Sequence, residues 1–260
     1  MHRPHRQRLT AVAREQCLEV HAALIAARLP ISTTTFDAAA APRITYWSSK
    51  EATWKLYFAA PPAAPELVTP LQSNSLERAH TSLALAGPDA VPWVWVARKQ
   101  KDQLHHDLVL LHRLGPAKWS EETLVAENPA ADKTCDFEPG GPGQVCAFDY
   151  VRLYPLALFT ATTEVRAVYT AINFKGTMVS DCKNMPFPIC VWVQQTDTST
   201  ADLRIGWPGS APEEHAVIAS DVFTDRATGR LDSGGYMHLG FHDQAPGTSD
   251  PVVRYLAIGP

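Results

Sequence analysis

Pro92-Trp93-Val94-Trp95-Val96, answered by the apolar stretch from Leu104 to Leu111, decides the fold of this chain. Thr81-Ser82-Leu83-Ala84-Leu85 runs before it and Lys118-Trp119-Ser120-Glu121-Glu122-Thr123-Leu124-Val125 after it, so four short strand-like segments follow one another. Their length, β-branched and aromatic content and flanking turn residues predict an antiparallel sheet. The central phrase recurs. Pro42-Arg43-Ile44-Thr45-Tyr46-Trp47 is answered by Trp54 to Phe58, Pro155 to Phe159 by Val165 to Tyr169, Pro188 to Val193 by Leu203 to Trp207, and Tyr236 to Phe241 by Val252 to Leu256. One such unit cannot bury its own apolar faces, so the repeat predicts a radial array of small sheets.

With Pro42, Pro92, Pro155, Pro188 and Tyr236 as equivalent anchors, the intervals are 50, 63, 33 and 48 residues. The long interval contains Asp132 to Cys146, rich in Pro, Gly and charge, which reads as an inserted loop. The short interval has no room for four full strands and predicts an abbreviated unit or one sharing its outer strand.

The order of segments around Pro92, with Lys118-Trp119-Ser120 opening the last, resembles the four-stranded blade of a β-propeller. It is most similar to the degenerate repeats of large bacterial secreted propellers related to the sialidase-like superfamily, over residues 36 to 260. The Asp-box turn of that superfamily, Ser-x-Asp-x-Gly-x-x-Trp, is not intact. Thr196 to Asp202 sits at a comparable hairpin without its Gly and Trp. Arg43, Arg166, Arg204 and Arg254 occupy generic repeat positions rather than a sialidase arginine triad, so the resemblance implies the fold and not that activity. The expectation is an all-β chain: a β-propeller of about five blades with four-stranded antiparallel blades over residues 31–260, and an N-terminal helix in a leader of residues 1–30. The final unit lacks an outer strand after Ile258, and Ile31 to Phe36 is expected to supply it and close the ring.

Lys and Arg number 23 against 27 Asp and Glu, a net charge of −4, which gives no footprint for nucleic acid or an anionic membrane surface. No apolar run is long enough for a transmembrane helix. In the leader, Leu9, Val12, Ala13, Cys17, Val20, Leu24 and Ala27 fall at helical spacing until Pro30, while Arg14, Glu15, Glu19 and His21 break the apolar centre a signal peptide needs.

Cys135 and Cys146 bracket a Gly/Pro-rich loop, and Cys182 and Cys190 bracket Lys183 to Ile189. Local disulfides would pin both loops to the sheets and restrain the unfolded chain by about 2.5 to 3 kcal/mol each, although buried free thiols are the competing reading. Local pairing leaves Cys17 free. Bridges of this kind imply an oxidising compartment and a secreted or cell-surface protein.

Chemical constellations are sparse. His238 and His242 share one strand face, but no third metal ligand is identifiable. Asp37, Asp149 and Asp221 lie near the first strands of their units, where a propeller glycosidase would carry paired acids, yet Asp is also a common turn residue. No nucleophile elbow, catalytic set or cofactor motif stands out. Among the aromatic residues Tyr46 and Trp47 end their strand before the polar turn Ser48-Ser49-Lys50-Glu51 and are the candidates for exposed binding residues. Glu138, in the bracketed loop, is the third. The expected function is a non-catalytic binding or adhesive propeller, monomeric, that recognises glycan or protein on its loop face. The alternative is a glycan-active hydrolase with carboxylates at the funnel.

Overall fold

The computed structural model describes residues 32–48, 54–70, 81–102, 104–135, 138–161, 164–183, 189–225, 227–232, 234–243 and 252–259. These residues are all-β, with two short 3-10 turns and no α-helix among them. The helix expected over residues 1–30, and Cys17 with it, lies outside the described residues.

Among the described residues sixteen strands form four antiparallel sheets. The first sheet is the meander β1 (Ser32–Phe36), β2 (Pro42–Ser48), β3 (Lys55–Ala59) and β4 (Glu66–Pro70); the second is β5 (Thr81–Ala86), β6 (Val91–Lys99), β7 (His106–Gly115) and β8 (Lys118–Ala126). The third is built on the long hairpin β9 (Val145–Ala161) and β10 (Glu164–Lys183), extended by β11 (Ile189–Asp197), β12 (Thr200–Gly206) and β13 (Ala216–Ser220). The fourth holds β14 (Ala227–Leu231), β15 (Met237–Asp243) and β16 (Val252–Ile258).

Four of the five repeated strand pairs form as the sequence predicts, with Trp47 opposite Leu56, Val94 opposite Leu111, Leu158 opposite Ala167 and Leu239 opposite Leu256. The fifth does not. The strand after Pro188 pairs with the far end of β10, Val193 opposite Val179, while β12 pairs with the near end, Leu203 opposite Thr170. At 20 residues β10 is long enough to take both strands end to end along one edge, so the 33-residue interval marks no unit of its own and five anchors give four sheets. A second correction concerns β1. Ser32–Phe36 pairs with β2, Thr34 opposite Ile44, as the first strand of the first sheet, and does not complete the last.

Three apolar cores lie between successive sheets. Trp47, Leu56 and Phe58 of the first sheet meet Val94, Val96, Val109 and Leu111 of the second. Trp95, Ala97, Leu108 and Leu110, from the opposite face of the second, meet Leu153, Leu158, Ala167 and Tyr169 of the third. Leu156, Phe159, Val168 and Leu203 then meet Met237, Leu239 and Phe241 of the fourth. Period-two alternation sends neighbouring side chains to opposite faces. The near-continuous apolar run of β6 therefore follows from burial on both faces, while β16, at the end of the stack, leaves Val253 and Tyr255 exposed. The first strands of successive sheets lie side by side, β1 by β5, β5 by β9 and β9 by β14. Two of these contacts are hydrogen-bonded: the Thr33 hydroxyl donates to the Thr81 carbonyl, and the Leu158 N–H to the Ser82 hydroxyl.

Candidate functional site

Antiparallel order sorts the connections of the second and third sheets between two ends. The β5–β6 and β7–β8 turns and the β12–β13 loop (207–215) gather at one end; the β6–β7 loop and the β8–β9 loop (127–144) gather at the other. Between the two sheets, at the tight-turn end, opens a cleft of about 620 Å³. Trp93 and His112 are cross-strand partners whose rings stack at 4.5 Å with 26° between planes, forming one wall. Trp207 and Pro208 stand on the other, with Gly87, Val91 and Val165 among the remaining lining residues. Trp93 and Trp95 share a sheet face, but Trp93 lies two residues nearer the turn. Trp95 is therefore fully buried in the core while Trp93 reaches the rim.

The Trp207 loop is held rigidly. The Ser210 hydroxyl accepts from the Trp207 N–H and donates to the Trp207 carbonyl, and His215 Nε2 meets the same hydroxyl at 3.0 Å. His215 Nδ1 is 2.7 Å from the buried Tyr169 hydroxyl. One tautomer satisfies every group: Tyr169 donates to Nδ1, Nε2–H donates to Ser210, and Ser210 donates to the carbonyl. The imidazole is then a structural relay rather than a base that activates the serine. Burial pushes the His215 pKa down and the Tyr169 hydroxyl up to about 12, consistent with a neutral relay. Gly206 makes room for it, because a Cβ there would lie 2.8 Å from His215 Nε2. Gly209, at φ +77°, donates its N–H to Glu122 Oε1 at 2.6 Å and ties the loop to the second sheet.

Arg113, which lines the cleft, and Arg166, beside Trp207, are each matched by a carboxylate. Arg113 bonds Glu66 through two nitrogens, at 2.6 and 3.1 Å, and Glu66 also accepts the Ala117 N–H. Burial opposes ionisation of Glu66, but these bonds outweigh it and hold the carboxyl below its ordinary range. Arg166 lies 5.1 Å above the Trp207 ring and bonds Glu164 at 2.5 Å.

No protein-family model, curated protein or solved structure matches this chain. The cleft must be read from its own geometry.

Few of the sequence-level candidates meet there. Trp47 is wholly buried between the first two sheets rather than exposed as expected: β2 continues as regular strand through Ser48, so Trp47 keeps its inward direction. Tyr46 points to the opposite face, half-buried, and stacks on Tyr57 at 5.5 Å. Glu138 is exposed on the β8–β9 loop. Asp37 closes the β1–β2 turn through the Ala39 and Ala41 N–H groups and pairs with Arg43. Asp149 pairs with Lys175, and Asp221 sits at φ 57° just after β13. The three acids thus take local roles on separate elements. His238 has both ring nitrogens engaged, by Asp232 and by the Tyr255 hydroxyl. Sequence reasoning placed Trp93 and Trp207 in strand pairs and passed over His112. The missed signal was Trp207-Pro208-Gly209, a Trp at the exit from a strand into a turn.

The opposite end is stapled. Disulfides join Cys135 to Cys146 and Cys182 to Cys190, the second across the β10–β11 register. Beyond the stack β9, β10 and β11 continue as an arm whose Val191 and Val193 are exposed. The buried Glu127 carboxylate accepts the N–H groups of His106 and Leu153, tying the second sheet to the third. Beside it His105 bridges Asp102 at 2.5 Å and Asp132 at 2.7 Å, and Asp132 also takes Arg152. Burial opposes protonation of His105, but the bonds to Asp132 and Asp102 override it and raise its pKa.

Proposed function

We propose that this chain is a non-catalytic, propeller-type binding scaffold that recognises glycan at the aromatic cleft between its second and third sheets. Successive antiparallel sheets with adjacent first strands and an apolar core between each pair resemble the construction of propeller blades, which supports the resemblance seen in the sequence. The observation that carries the binding reading is the Trp93–His112 platform facing Trp207. Sugar rings present apolar C–H faces that stack on aromatic rings, and a rigid concave site limits the ordering cost of binding. The engagement of Asp37 in a turn and an ion pair and of Asp149 in an ion pair favours the binding reading over the hydrolase. Two disulfides fit maturation in an oxidising compartment, and hence a secreted or cell-surface protein acting as a monomer. No helix among the described residues is long and apolar enough to cross a membrane.

A glycan array run in parallel with a sugar-release assay tests this. Binding without release is expected. Trp207→Ala is expected to weaken the strongest interaction by about tenfold, the worth of one stacked aromatic ring, with the thermal transition nearly unchanged. Binding that survives Trp207→Ala and loss of both His112 and Trp93 rings would remove the cleft as the site, and released sugar would favour the hydrolase.

A further inference from the structure

Resting on that reading, we infer that the cleft is selective for neutral saccharides and excludes acidic ones, because Arg113, the guanidinium among its described lining residues, is already held by Glu66 while Glu164 brings a carboxylate to the lining. Arg113 is held in a two-pronged bond by Glu66, a geometry that occupies the face it would otherwise present to a ligand carboxylate. Arg166 stands outside the lining, bonded to Glu164 and with its guanidinium carbon 5.1 Å from the Trp207 ring centroid. A sialic or uronic acid entering here would have to displace Glu66 from Arg113, and would meet the exposed Glu164 carboxylate in the lining. Burying an unpaired carboxylate beside another is unfavourable. A neutral sugar meets no such barrier. Its C–H face stacks on Trp93 and Trp207, and its hydroxyls donate to Glu164, whose second role is then acceptor on the ligand.

The test is a matched pair of probes, lactose-type neutral oligosaccharides and their sialylated counterparts, titrated at pH 8 against the wild type, Trp207→Ala and Glu164→Gln. The wild type is expected to prefer the neutral member by at least about tenfold, the scale of one charge-assisted hydrogen bond. Glu164→Gln removes the lining carboxylate and is expected to shift the acidic-to-neutral affinity ratio about tenfold toward the acidic probe. A salt titration of the wild type needs no variant: neutral binding should hold its strength as sodium chloride rises from about 0.05 M to about 0.5 M, where screening would weaken an ionic contact. Equal or tighter binding of the sialylated probe that Trp207→Ala abolishes would overturn the neutral selectivity and leave the cleft as a glycan site. An unshifted ratio in folded Glu164→Gln would also overturn it. If neither probe nor any array glycan binds in a manner sensitive to Trp207, the glycan reading itself fails.

Discussion

At the residue scale, two histidines carry opposite proton linkages. His215 is buried and neutral, so its folded pKa lies below the ordinary value of about 6.5; the stability it lends is present above that pH and is lost as pH falls through the window beneath it. His105, clamped between Asp102 and Asp132, has a raised folded pKa; its contribution is present below about 6.5 and is lost as pH rises through the higher folded value. Together they predict a stability maximum near pH 6.5. Thermal melts from pH 5 to pH 8 should show it, with His215→Gln flattening the acid limb and His105→Gln the alkaline limb. Limbs that stay unchanged in both variants would contradict these assignments. Residue identity alone did not reveal these roles. No local pattern marked them, because His105's second partner, Asp132, and His215's partner, Tyr169, lie 27 and 46 residues away. Trp47 and Trp207 are equally ambiguous in sequence, and only the neighbouring sheet makes one core and the other rim.

At the element scale, strands and their turns were legible because short apolar runs bounded by Pro, Gly and Asp leave few alternatives to a meander. The local disulfides were legible from loop spacing, and Cys182 and Cys190 face each other with Cα atoms 4.0 Å apart. The reach of β10 was not. Nothing in Glu164 to Lys183 marks where it passes from β12 to β11, since the switch is a change of partner along one unbroken strand. Because the bridges sit at the end opposite the cleft, they should matter to the arm and little to binding. Cys182→Ser with Cys190→Ser is expected to lower stability by about 2.5 kcal/mol in the chain-entropy account, read by chemical denaturation, with glycan affinity retained. Loss of affinity in a folded double variant would move the site to the stapled end.

At the scale of the whole molecule, one sheet cannot bury both of its faces alone, and the apolar pattern records which sheets have neighbours. Sheets two and three carry cores on both sides, whereas β16 sets half-buried Leu256 and Ile258 beside exposed Val253 and Tyr255. The stacking was therefore readable from the recurrence of the phrase, while the cleft belongs to no single repeat. It exists only where the β5–β6 turn of one sheet meets the β12–β13 loop of the next. Its occupancy is the central claim, and the chain's 7 tryptophans report on it directly. Fluorine NMR of fluorotryptophan-labelled protein, with each resonance assigned by substitution, should show the Trp93 and Trp207 signals moving on titration with the array's strongest neutral glycan while those of Trp47 and Trp95 stay in place. Saturation of binding with Trp93 and Trp207 unmoved would contradict it.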